Sequence, residues 1–326
     1  GLCRAIHAFA FVIGICGIFA GGPVFAAEQQ LGPDSKLPLP RYASLKSDKV
    51  NLREGPSKDH RTKWIYQRQG LPVEIIAELL GIPESDRHQL RPWSADICRM
   101  YELHPDEEDA RVAVAAAREF SDYLRALARE RQRAPREDLI TALAQVAVEG
   151  ERLTEDELVG TCVLLLNAGH EATVNTTGNG WWALFRNPDQ LARLRADRSL
   201  VPTAVEELLR YEPSSPMFER WVLEDTEIGG VEVPKGAELG LLFISANRDA
   251  TVFEEPDRMD VGRVENPHLS FGAGVHFCLG APLARIELQT SFGMLLERFP
   301  HMELVEEPRW KPNFVLRGLE ELRVRV

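Results

Sequence analysis

The chain has 326 residues, 44% of them hydrophobic, enough for one large core or for two domains. Its net charge of -12, from 38 basic and 50 acidic residues, argues against a nucleic-acid partner, which would need a basic face. The five cysteines (Cys3, Cys16, Cys98, Cys162 and Cys278) are widely spaced and form no C-x-x-C pair, which argues against a structural zinc site or a disulfide framework; no apolar run is long enough to span a membrane as a mature helix.

In chain order, residues 1–27 read as a secretory signal peptide, with Arg4 as the positive end, an apolar stretch from Ala8 to Ala20, and small residues Val24 and Ala26 near a cleavage point. Pro33, Pro38 and Pro40 mark an extended linker. The alternation in Val50-Asn51-Leu52-Arg53, closed by the turn residues Gly55-Pro56, predicts a strand, and Gly70 to Ile76 predicts a second one. After about residue 77 the basic residues change character. Five of the seven lysines lie at or before Lys63, whereas 27 of the 31 arginines follow Arg61. That asymmetry divides the chain into 1–27, 28–76 and 77–326.

The later part is predominantly helical. Ala113, Ala117, Phe120, Leu124 and Leu127 predict a long helix over 106–131. Thr154 and Glu157 form a capping-box pattern that opens a helix running to about Arg186. Helices are also expected over Val201 to Tyr211 and Gly280 to Arg298. Between them, 218–245 reads as short strands joined by Gly229-Gly230 and Pro234-Lys235-Gly236 turns.

The stretch that carries chemistry is Phe271-Gly272-Ala273-Gly274-Val275-His276-Phe277-Cys278-Leu279-Gly280. Three glycines let the backbone pass close to a flat cofactor. The helix start that follows offers free amides and positive potential, which stabilise a thiolate. A thiolate on haem iron pushes electron density toward bound oxygen and favours O–O cleavage.

This stretch resembles the F-G-x-G-x-H-x-C-x-G pattern of bacterial cytochromes P450 at every fixed position, and the resemblance extends over about residues 77–326. It implies a mainly α fold with small β sheets, a haem ligated by Cys278, and a monooxygenase that inserts one atom of O2 into a small organic substrate with electrons from a redox partner such as a ferredoxin. Phe271, Gly272, Gly274 and Gly280 would shape the haem-facing loop, and Arg220 and His276 match positions that hold the haem propionates. Glu207-Leu208-Leu209-Arg210 resembles the family's E-x-x-R motif, with Arg258 as third member of a structural clamp. Ala168-Gly169-His170-Glu171-Ala172-Thr173 resembles the oxygen-binding kink: Gly169 would open space above the iron, and Glu171 would relay protons. The family more often has Thr directly after the acid; here that position is Ala172, with Thr173 one place later.

Residues 28–76 comprise the linker and a stretch that resembles the front half of a bacterial Src-homology-3-like domain, the match covering only about 40 residues, so a partial small β-barrel is expected ahead of the P450 part. The family's N-terminal third has no counterpart, and the chain as written is expected to fold and hold haem poorly. Two other readings follow from the front segment: an exported small-barrel binding protein, and a non-functional fusion. The signal peptide implies export, whereas the P450 resemblance implies the cytoplasm, where electron donors reside.

Overall fold

The computed structural model describes residues 71–145, 147–148 and 151–326. The signal peptide, the linker and the first predicted barrel strand lie outside the described residues. The second predicted strand is instead a helix, α1 (Leu71–Leu80). The apolar run there permits either period, and tertiary packing decides between them. Ile76, Ala77 and Leu80 are buried on one face, a spacing that a helix presents and a strand does not.

α2 (Leu90–Cys98), α3 (Glu107–Arg133) and α4 (Leu139–Gln145) follow. A short antiparallel pair, β1 (Ala147–Val148) with β2 (Glu151–Arg152), leads into α5 (Glu155–Arg186). α5 begins at the predicted capping box: Thr154 Oγ1 accepts from the Glu157 amide at 3.2 Å, and Glu157 Oε2 accepts from the Thr154 amide at 3.0 Å. With 32 residues at about 1.5 Å each it is close to 50 Å long and serves two cores.

Its first half packs with α1 to α4 around Phe120, Leu124, Ile140, Cys162 and Leu166, where Trp93 stacks on Phe120 at 5.1 Å. Its second half packs with α6 (Pro188–Ala196), α7 (Val201–Tyr211) and α9 (Ala281–Arg298), where Trp181 stacks on Phe292 at 5.1 Å. Cys98 and Cys162 are both buried, Cys162 within the first of these cores, and burial pushes both thiols up to about 12.

The strands predicted over 218–245 form two antiparallel ribbons. One pairs β3 (Met217–Trp221) with β6 (Glu238–Leu242), and the other pairs β4 (Thr226–Ile228) with β5 (Val231–Val233). The short helix α8 (Phe243–Ala246) ends the first ribbon, and β7 (Glu303–Leu304) pairs with β8 (Val324–Arg325) near the C-terminus. The result is mainly helical with small antiparallel sheets, as expected.

Candidate functional site

The loop before α9 is a tight fold around Cys278. The Cys278 amide donates to Phe271 O at 2.8 Å, and the Phe277 amide to Gly274 O at 3.0 Å. Gly272 and Gly274 have φ of +69° and +63°, the left-handed region in which a side chain would be strained. α9 then starts at Ala281 with Pro282 in its first turn. Burial pushes the Cys278 thiol up, while hydrogen bonds from the Gly280 and Ala281 amides and the nearby Arg285 guanidinium act the other way. Val275, Phe277, Leu279 and Ile286 form exposed apolar surroundings; Val275 is 92% exposed.

Behind this loop lies a wholly buried ion pair. Arg210 donates from Nε and Nη2 to the two Glu207 oxygens, each at 2.8 Å, with both side chains fully buried. Glu207 also accepts from the Asp260 amide at 2.9 Å, Arg263 Nε at 3.1 Å and Asn266 Nδ2 at 3.2 Å. The third cation is therefore Arg263, and the expectation of Arg258 is corrected. The Arg258 guanidinium is 62% exposed and pairs with Glu255; only its carbonyl reaches Arg210. The bend over 255–263 turns that carbonyl inward and the side chain outward. Arg210 reaches on to Asn247 O and Pro256 O, and Asn247 Oδ1 accepts from the Leu269 amide at 2.7 Å. A continuous chain of hydrogen bonds thus links the pair to the segment entering the cysteine loop.

A second brace escaped the sequence reading. Arg285 on α9 donates to Glu206 at 2.7 and 2.8 Å, His268 Nε2 lies 3.1 Å from the same carboxylate, and the guanidinium sits 4.7 Å over the Phe271 ring. Its only local signal was two adjacent acids, Glu206 and Glu207, on an apolar helix. Burial alone would raise the Glu206 carboxyl, but its bonds to His268 and Arg285 win and hold it at about 2, against an ordinary 4.5. A depressed carboxylate stabilises the fold above its unfolded pKa and loses that contribution as pH falls through the folded one. Glu206→Gln is therefore expected to cost about 3 kcal/mol at pH 7, with the difference shrinking between pH 4.5 and 2. Urea unfolding at pH 7 and pH 3 checks this; an equal difference at both would contradict it.

On α5, Gly160, Leu164 and Ala168 are exposed and Ala172 is half-buried. Spaced by four, they form one open strip of mostly small residues. Gly169 lies off that strip: a Cβ there would stand 2.9 Å from Ile76 Cδ1. The residue that keeps the open face low is Ala168, and Gly169 instead lets α1 approach, which corrects the expected role of Gly169. Thr173 is also turned away; it is 9% exposed, and its carbonyl accepts from Thr177 Oγ1 at 2.9 Å. Glu171 flanks the strip on the other side. Its Oε1 accepts from Lys311 Nζ at 2.6 Å, and Oε2 lies 3.7 Å from His170 Nδ1. Arg220 stands on β3 opposite Leu239 and donates to the Glu219 carbonyl at 2.7 Å; His276 is exposed in the turn before Cys278.

A thiol at a helix start, set in uncovered apolar surroundings, has the donor chemistry of a thiolate ligand to a large apolar cofactor. A Cβ at Gly280 would stand 3.9 Å from Cys278 Sγ, an ordinary contact distance. The residues present fit a haem-thiolate centre.

The comparisons with known proteins agree. The family model described as Cytochrome P450 matches residues 92–319. Cytochrome P450 107B1 of Saccharopolyspora erythraea is 42% identical, over 78% of this chain and 62% of its own length. The biotin biosynthesis cytochrome P450 of Bacillus subtilis is 41% identical, over 77% of this chain and 63% of its own. Among solved structures, the bacillaene polyketide synthase cytochrome P450 PksS of Bacillus subtilis superposes with a TM-score of 0.76 at 38% identity, covering 82% of this chain and 69% of that one. The fold and the cysteine loop define a haem-thiolate protein, and the chain belongs to the cytochrome P450 family, whose cofactor is haem. It spans somewhat less than two thirds of the length of the curated relatives it matches.

Proposed function

We propose that the protein is a haem-thiolate monooxygenase, catalysing R–H + O2 + 2 e⁻ + 2 H⁺ → R–OH + H2O, with Cys278 as the iron ligand. The observation that carries this is Cys278 just before α9, in a loop closed by its own amide on Phe271 O at 2.8 Å and turned by Gly272 and Gly274 at positive φ. When bound, thiolate-ligated haem supplies the activation of O2. The protein's part is to hold and tune it. The Gly280 and Ala281 amides steady a negative sulfur, and the Glu207–Arg210–Arg263 and Glu206–Arg285 networks hold the loop that presents it. Phe271, Gly272 and Gly274 keep that loop tight, and Arg220 and His276 supply cationic or hydrogen-bonding groups for the propionates. Ala168 leaves room on the α5 face, and Glu171 moves protons.

The substrate is a small organic molecule. Similar proteins include one named 6-deoxyerythronolide B hydroxylase and one named nocardicin C N-oxygenase, both consistent with this chemistry. Electrons come from a partner of the ferredoxin class, which places the reaction in the cytoplasm. Among the described residues, no helix is long and apolar enough to cross a membrane.

The test is the spectrum of the reduced protein under carbon monoxide. The red-shifted band of thiolate ligation is expected in the wild type and is expected to be lost in Cys278→Ser. A histidine-like spectrum in the wild type, or the same spectrum in both proteins, would overturn the assignment.

A further inference from the structure

The segment 310–319 doubles back on itself, with the Lys311 amide donating to Gly318 O at 2.9 Å and Trp310 bridged to Leu319. It lies along α5 as a strap. Asn175 Nδ2 donates to Leu316 O at 3.3 Å and Asn179 Nδ2 to Arg317 O at 3.1 Å. From the other side, the Glu102 carboxylate accepts the amides of Phe314, Val315 and Leu316 at 2.7, 3.1 and 3.2 Å. Glu171, Asn175 and Asn179 are spaced by four and so form one row on α5. The strap covers the row from Asn179 back to Glu171, which flanks the open strip.

Lys311 is the strap residue that meets Glu171. Its ammonium donates to Glu171 Oε1 at 2.6 Å and to Asn175 Oδ1 at 3.2 Å. The Glu171 side chain is 14% exposed and that of Lys311 29%, so water screens this pair less than it would a surface pair. The strap is already anchored by Asn175, Asn179 and Glu102 through bonds in which the ammonium takes no part. What the lysine adds is a fixed orientation for one carboxylate: Oε1 is held, and Oε2 is left 3.7 Å from His170 Nδ1.

We propose that Lys311 is the positioning residue for Glu171, holding its carboxylate beside the open strip in the orientation from which it passes protons. This rests on the monooxygenase reading, in which two protons enter for each O2 reduced. Lys311 touches neither substrate nor cofactor on this account; it acts through Glu171 alone.

Two measurements decide it, on wild type, Lys311→Met, Lys311→Arg, Glu171→Gln and the double variant Glu171→Gln/Lys311→Met, with Glu171→Gln/Lys311→Arg as the infrared counterpart of Lys311→Arg. The first needs no haem. The infrared difference between each Glu171-containing protein and its Glu171→Gln counterpart isolates the Glu171 carboxylate band. That band is expected to shift in Lys311→Met and to return in Lys311→Arg. An unshifted band in Lys311→Met overturns the proposal.

The second measurement uses the haem-loaded protein with a chemically reduced ferredoxin and no substrate, following oxygen reduced to water against oxygen released as peroxide. Water formation is expected to fall about 10²-fold in Glu171→Gln and about tenfold in Lys311→Met. Lys311→Arg should restore it to within about twofold, and the double variant should match Glu171→Gln alone. Additive losses in the double variant, or faster water formation in Lys311→Met, would also overturn the proposal. A haem-loaded wild type without the thiolate spectrum would defeat the monooxygenase reading instead, while the infrared result would still decide whether Lys311 holds Glu171.

Discussion

Replacing Arg210 with alanine is expected to cost the protein its haem and its solubility together. Arg210 is completely buried, and its guanidinium bonds both oxygens of an equally buried Glu207 and three backbone carbonyls, those of Asn247, Pro256 and Arg258. Removal leaves Arg263 as the one cation on the Glu207 charge and takes the Arg210 donor from those carbonyls, of which Arg258 O keeps Arg263 Nη2 at 3.4 Å. Losing one partner of a buried pair costs about 3–5 kcal/mol, a large part of the roughly 5–15 kcal/mol that holds a domain together. Because the Arg210 guanidinium holds Asn247 O and Asn247 Oδ1 in turn holds the Leu269 amide, the damage passes to the loop that presents Cys278. Haem stoichiometry and the soluble fraction on expression measure this. A soluble, haem-replete Arg210→Ala that is merely slower would contradict the structural role. Arg258→Ala, by contrast, removes an exposed pair with Glu255 and should leave stability nearly unchanged.

Ala172→Thr is expected to tighten the coupling of electron use to product in the haem-loaded protein. Ala172 is the residue of the open strip next to Glu171, and its methyl group offers no path for a proton. Thr173 does not substitute for it, because it lies about 100° round the helix and is buried. A hydroxyl at 172 would donate back to the carbonyl four residues earlier, as Thr176 does to Ala172 O at 2.8 Å, and would present its free lone pairs to the strip. A well-placed proton-transfer group contributes about 10²–10⁴-fold, so peroxide released per electron pair should fall by about tenfold or more. Unchanged peroxide release would show that proton delivery here does not pass through this position.

The parts of the fold readable from the chain alone were those whose causes are local. The capping box at Thr154 and Glu157 announced α5, and the three-residue spacing of Glu207 and Arg210 announced their pairing, because residues three apart on a helix share a face. The glycines of 271–280 announced a tight loop ahead of α9 with Cys278 at its end, because left-handed turns favour glycine. Short strands expected over 218–245 followed from their turn residues as far as Leu242, after which the chain turns helical.

What only the tertiary structure decided were the contacts between segments far apart in the chain. Arg263 rather than Arg258 completes the clamp, since the choice depends on how a bend 50 residues downstream aims two side chains and a carbonyl. α1 is a helix because the flank of α5 offers it a buried groove at Gly169, although its apolar run suits either period. Arg285 meets Glu206 across 79 positions, and Lys311 meets Glu171 across 140. Nothing in the spacing of such residues encodes their distance in space; each pair forms only after α5, α7 and α9 have packed and brought their faces together.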